Sequence, residues 1–134
     1  MEAVLADTSV WIDFFNGKKS SECDILFKYL ENDGPVLICP PIIQEILQGI
    51  RNDSEYQKVK TSILSLDVLS IEPIEAAIGT ADLYRLLRKH GATIKRSMDC
   101  LIAYYAIYYN VNLLHKDKDF DIIAKNSSLK IRKV

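Results

Sequence analysis

Cysteine is scarce in this chain and unpaired in spacing. Cys23, Cys39 and Cys100 are odd in number, and no two share a CxxC spacing. That argues against a disulfide framework and a thiolate metal knot. Each sits among apolar residues, so buried free thiols in a reducing cytosol are expected, which makes the protein cytoplasmic. Histidine is scarcer still. His90 and His115 are the only two, and neither stands beside a nucleophile, so no serine–histidine–acid arrangement is available. A glycine-rich phosphate loop is missing as well. An excess of one charge is lacking: 17 basic against 18 acidic residues give a formal charge of -1. The molecule as a whole is therefore not drawn to nucleic acid, although a local basic patch stays open. Long hydrophobic runs are also absent. The longest, Cys100 to Leu114, contains Asn110 and Asn112 and falls short of the roughly 20 residues that a membrane span needs. Glu2 stands where a signal peptide would carry a basic n-region, so none is expected. Repeats, linkers and low-complexity segments are missing too.

What is present is an ordinary globular composition. The 134 residues are 49% hydrophobic and 26% charged, which suits one domain, residues 1–134, around one core. The organising stretch is the first. Ala3 to Ala6 reads as a short buried strand, followed at once by Asp7, Thr8 and Ser9 and then by an apolar helical run. Ser9 can cap that helix, which runs to about Asn16, with Gly17 ending it. Ser20 and Ser21 can cap a second helix to about Glu31. Val36 to Cys39 is a continuous apolar strand, the pattern of burial on both faces. Pro40 and Pro41 stop it, and a helix follows from Ile42 to about Gln48. Further helices are predicted over Ser54–Leu66 and Pro73–His90, the latter closed by Gly91, with a third strand, Val68–Ile71, between them. Ser97 can cap a nearly all-apolar helix to Tyr109. Val111–Leu114 is a fourth strand, Asp117 to about Ala124 a short helix, and Leu129–Ile131 a fifth, edge strand. Strands alternate with helices throughout, which predicts a three-layer α/β/α sandwich on a central, mostly parallel sheet of four to five strands.

In such a sheet, ligands bind where the carboxyl ends of the strands meet the helices. Asp7 is there by spacing alone. Glu45 lies on the helix after the second strand, and Asp117 lies just after the fourth. A helix that enters the fourth strand starts near that strand's carboxyl end, which brings Asp99 to the same edge. Four carboxylates in one pocket repel each other. A divalent cation relieves that repulsion, and oxygen-only ligands favour Mg²⁺ or Mn²⁺ over Zn²⁺. Such a site suits phosphodiester hydrolysis. Each acid has a blander reading alone: a turn former at Asp7, a solvated helix residue at Glu45, a first-turn helix acid at Asp99, a cap at Asp117. Their joint placement is what carries weight.

These motifs, in order, are Asp7-Thr8-Ser9-Val10-Trp11-Ile12-Asp13, Gln44-Glu45-Ile46-Leu47-Gln48-Gly49, Asp99-Cys100-Leu101-Ile102-Ala103 and Leu113-Leu114-His115-Lys116-Asp117-Lys118-Asp119-Phe120. The series resembles PIN-domain ribonucleases, and more closely the VapC toxins of toxin–antitoxin pairs, over nearly the whole chain. The resemblance implies a metal-dependent endoribonuclease using Mg²⁺ or Mn²⁺, with Asp7, Glu45, Asp99 and Asp117 as the acidic cluster. It adds Asp119 as an occasional fifth member and Ser9 as a hydroxyl that orients a ligand or water. The family often carries threonine where His115 stands. An RNA substrate, a cognate antitoxin and a homodimer are implied in the same way.

Other features have two readings. Arg85, Arg88, Lys89, His90, Lys95 and Arg96 precede Asp99 and either hold RNA phosphates or form a solvated helix end. Tyr104, Tyr105, Tyr108 and Tyr109 can stack on bases, but core or dimer packing is expected. Trp11, Phe14 and Phe15 are read as core or as an antitoxin-binding patch. Two other function classes compete. A receiver-like signalling domain needs an acceptor aspartate after the third strand, where Glu72-Pro73 stand. A silent binding module needs no intact acid set.

Overall fold

Val4, Leu5 and Ala6 are completely shielded from solvent and form the central strand of the sheet. The computed structural model describes residues 1–134. The elements run β1 (Val4–Ala6), α1 (Thr8–Phe15), α2 (Ser21–Glu31), β2 (Val36–Ile38), α3 (Pro40–Gln48), α4 (Asp53–Ile63), β3 (Asp67–Val68), α5 (Pro73–Lys89), α6 (Ser97–Tyr109), β4 (Asn112–Leu114), α7 (Lys118–Lys125) and β5 (Lys130–Ile131). The sheet order is β3-β2-β1-β4-β5, and all four pairings are parallel. The expected parallel sheet is therefore present, with five strands and no antiparallel member.

Parallel neighbours need crossovers, and right-handed ones set the two outer layers. From β1 the chain steps one way to β2 and β3, which puts α1 to α4 on one face. It then returns across the sheet to β4 and β5, which puts α5 to α7 on the other. The direction of winding reverses between β1 and β4, so the switch point lies at their carboxyl ends. There the Asp7 N–H donates to the Leu114 carbonyl at 2.8 Å, which ties the first residue after β1 to the last residue of β4. The core fills both faces of the sheet with residues such as Leu26, Ile42, Ile63, Leu87, Ile102 and Phe120. No helix is long and apolar enough to cross a membrane.

Several boundaries differ from the sequence expectation, each for a local reason. Asp7, not Ser9, caps α1: its extended backbone (φ -65, ψ 158) lets its carboxylate accept the Ser9 N–H. Ser97 is the first residue of α6 rather than its cap, and Arg96 occupies the cap position without a side-chain bond. The third strand pairs only at Asp67 and Val68, with one further bond from Leu69 N–H to the Ile38 carbonyl at 2.7 Å. Leu69 and Ile71 are buried while Val68 and Ser70 are exposed. The alternation is real, but an edge segment has one neighbour and leaves it early. His90 caps α5, and Gly91 follows at φ +78, a left-handed turn suited to glycine. Gly79 in α5 is needed for another reason: a Cβ there would lie 2.0 Å from the Tyr104 ring of α6. The tight α5–α6 contact thus depends on a missing side chain. Cys23, Cys39 and Cys100 are buried free thiols, as expected.

Candidate active site

Asp7 and Asp117 arrive at the switch point by the same route. Each caps the helix that follows one of the two central strands, and each carboxylate turns back to its own helix. Asp7 Oδ2 accepts from Ser9 N–H at 3.3 Å and from Ser9 Oγ–H at 2.8 Å. Asp117 Oδ1 accepts from Asp119 N–H at 2.9 Å. Asp99 enters from the first turn of α6, where it is buried. Glu45 enters from α3, on the opposite layer. Asp7, Glu45, Asp99 and Asp117 line one pocket of about 240 Å³ together with Thr8, Ser9, Gln48 and Arg96. The structure therefore brings all four expected acids to one place.

The carboxylates differ in what already engages them. Thr8 Oγ1–H donates to Glu45 Oε1 at 2.6 Å, and Arg96 pairs with Glu45 Oε2. Both Glu45 oxygens thus have partners within the chain. Asp99 is the reverse case. Its Oδ2 is buried and has no hydrogen-bond partner. Leaving a buried acceptor unpaired costs about 1–3 kcal/mol, and more if it is charged. Asp119 lies outside the pocket lining but is buried. One oxygen from each of Asp99, Asp117 and Asp119 falls within 4.8 Å of the others, a spacing that one cation could bridge. Asp119 therefore shares a candidate ligand spacing with Asp99 and Asp117, while Asp7 and Glu45 line the same pocket as Asp99 and Asp117.

Electrostatics follow from this packing. Burial pushes the Asp7 carboxyl upward against the two Ser9 bonds that favour its charged form. Burial also raises Asp99 to about 6; Arg96 opposes the shift, while repulsion from Asp7, Asp117 and Glu45 adds to it. These are signs of negative charge gathered without enough compensation. An all-oxygen donor set with an orphaned buried oxygen fits a hard divalent cation.

Two neighbours went unassigned in the sequence. Thr8 carries no assigned role in the sequence, and the one signal for it there is a hydroxyl beside Asp7 at a strand end. Arg96 belongs to the basic stretch that either holds phosphates or forms a solvated helix end, and the structure turns it onto Glu45. Arg88 lies over the Tyr84 ring at 5.9 Å, while Lys89 and Lys95 stay exposed. Among the aromatics, Trp11 and Tyr105 are buried, whereas Tyr108 and Tyr109 are exposed. Trp11, Phe14 and Phe15 pack on each other at 5.7–6.1 Å between centroids.

An all-parallel sheet between two helical layers, with carboxylates gathered at its switch point, defines an acidic-cleft α/β protein. The family model for the PIN domain matches residues 4–126. VapC ribonuclease Mb1587 of Mycobacterium bovis and Ribonuclease VapC11 of Mycobacterium tuberculosis are each 31% identical over 127 residues, which cover 94% of this chain and 95% of theirs. Among solved structures, VapBC-1 from nontypeable Haemophilus influenzae matches at a TM-score of 0.73 and 17% identity, over 98% of this chain and 97% of that one. DNA-bound VapBC from Salmonella typhimurium matches at 0.73 and 18%, over 98% of both chains. The chain belongs to the PIN-domain family and, within it, to the VapC type.

Proposed function

We propose that this chain, acting as one PIN domain over residues 1–134, is an Mg²⁺- or Mn²⁺-dependent endoribonuclease and the toxin of a VapBC-type pair. The observation that carries the reading is the buried, unpartnered Asp99 Oδ2 among carboxylates at the switch point. It is supported by 31% identity to proteins named VapC ribonucleases. Asp99, Asp117 and Asp119 hold the cation, with Asp7 and Glu45 completing the acidic cluster. When bound, the divalent cation supplies positive charge beside the phosphate and lowers the pKa of water. The chain's own residues do the remainder. Ser9 fixes the Asp7 carboxylate through Oδ2. Thr8 and Arg96 hold Glu45. Arg96 is the one cationic side chain lining the pocket, and it is placed to meet an incoming phosphate as well as Glu45. Exposed Lys89 and Lys95 extend the positive charge for the RNA backbone.

The partners follow the same reading. The named structural neighbours include VapBC assemblies, so a cognate antitoxin is assigned as the inhibitor. Ile74, Ile78, Tyr108 and Tyr109, exposed on α5 and α6, are assigned to the homodimer contact. The protein works in the cytoplasm, where free thiols persist.

The test is cleavage of total RNA by antitoxin-free protein with Mg²⁺, with Mn²⁺, with EDTA, and with Asp99→Asn alongside. Discrete fragments that need the metal and vanish in the variant are expected. Metal-independent cleavage, or full activity in Asp99→Asn, would overturn the proposal. Absence of both cleavage and metal binding would leave a silent binding module.

A further inference from the structure

His115 follows β4 directly, is buried, and is bonded at both ring nitrogens. Its Nδ1 lies 3.0 Å from the Asp117 backbone nitrogen, and its Nε2 lies 3.1 Å from Asp121 Oδ1. A backbone N–H can only donate, so Nδ1 must be the accepting lone pair. The ring proton then sits on Nε2 and donates to the Asp121 carboxylate. The Nε2–H tautomer satisfies both partners, and the Phe120 ring, 5.3 Å away between centroids, packs against the imidazole.

We propose that His115 is a positioning residue: its Nδ1 fixes the Asp117 backbone and thereby aims the Asp117 carboxylate into the acidic cluster. This rests on the metal-site reading above. Two side-chain-to-backbone bonds run in series here, from Asp117 N–H to His115 and from Asp119 N–H to Asp117. The intervening Lys116 is pinned as well, by its pair with Asp13 on α1. Three successive residues are therefore anchored to α7, to α1 and to the start of α7. Without the first bond, the Asp117 N–H loses its acceptor and the backbone at Asp117 is free to rotate. The carboxylates of Asp117 and Asp119 then lose their spacing to Asp99. Asp121 acts one step further out, by holding the imidazole in the accepting tautomer, as the partners of ligand side chains commonly do.

Two substitutions separate this role from simple packing. His115→Asn keeps an oxygen acceptor near the position of Nδ1. His115→Gln moves its acceptor to the far end, near Nε2, and leaves the near position apolar. The measurement is Mn²⁺ titration by calorimetry on antitoxin-free protein, with thermal unfolding of each apo variant and kcat and KM for RNA cleavage. His115→Gln is expected to weaken Mn²⁺ binding by about tenfold or more and to lower kcat with little change in KM. His115→Asn is expected to stay within about threefold of wild type. In the unsubstituted apo protein, nitrogen-15 NMR is expected to show His115 protonated at Nε2 only. A proton on Nδ1, or equal losses in both variants that track unfolding temperature, would overturn the proposal. Unchanged Mn²⁺ affinity in His115→Gln would sink the role of His115 alone. No Mn²⁺ binding by wild type would sink the metal reading and this inference with it.

Discussion

Two regions of this molecule sort their polar and apolar groups against the usual rule, in opposite senses. At the carboxyl ends of β1 and β4, acids are buried: Asp99 keeps 3% of its surface exposed and Asp7 keeps 5%. On the outer side of α5 and α6, hydrophobic side chains face water: Ile74 is 68% exposed and Ile78 59%. Buried acids and exposed large apolar groups are the informative departures in a folded chain. Each costs free energy in the isolated chain, and each points to something that relieves the cost. On the proposed reading, a cation relieves the acidic edge and a second copy of the chain covers the α5–α6 face.

The comparison breaks most sharply at Asp99 and Asp7. Asp99→Asn and Asp7→Asn should each reduce RNA cleavage by about 10²- to 10³-fold, since several kcal/mol of charge stabilisation depend on the bound cation. Circular dichroism should stay native, which separates lost chemistry from lost fold. On the other side, Ile78→Glu combined with Tyr108→Glu should weaken self-association by about tenfold or more, read by sedimentation velocity. Cleavage by the monomer in that variant would show the two regions to be independent. A variant monomer that had lost metal binding would show them to be coupled.

A smaller effect sharpens the acidic edge through pH. Asp99 ionises at about 6 in the folded chain, and a cation competes with its proton. Mn²⁺ affinity should climb up to about tenfold per pH unit below 6 and flatten above it. Titration between pH 5 and 8 measures this, and a flat profile would argue against Asp99 as a ligand.

The smallest effect is on stability. Asp99 is raised above its ordinary value of 3.8 to about 6, so unfolding releases a proton between those values. Apo stability therefore falls as pH rises from about 4 to 6, and the cost is fully present above that window. Asn carries no charge, so apo Asp99→Asn should be more stable than wild type at pH 7 by ~1 kcal/mol, less than the full linkage value because the pocket opens to water. Mg²⁺ should raise the unfolding temperature of wild type but not of the variant.

Much of the scaffold was legible from local signals. Pro73 and Gly91 bracket α5 because proline fixes φ at a helix start and Gly91 supplies φ +78 at its end. The apolar runs at Ala3 to Ala6 and Val36 to Cys39 announced two strands, the second with the pattern of burial on both faces. The shift of the α1 cap from Ser9 to Asp7 was harder, because both are good cap residues. The Asp7 backbone bond to Leu114 belongs to the opposite end of the chain. The true extent of β3 depended on its having a single neighbour. The exposure of Tyr108 and Tyr109 was hidden because α6 is apolar on every side. Its periodicity does not say which side meets the sheet.

The sequence by itself determined that carboxylates follow the central strands, because strand, acid and helix are contiguous there and local geometry places Asp7 and Asp117. It also determined, through alternation of elements, that Asp99 and Glu45 reach the same edge. Only the tertiary structure decided which oxygens are already engaged. Thr8 and Glu45 are 37 residues apart, and Arg96 and Glu45 are 51 apart. Hydrogen bonds over such separations form only after the layers pack. They occupy Glu45 and leave Asp99 Oδ2 without a partner.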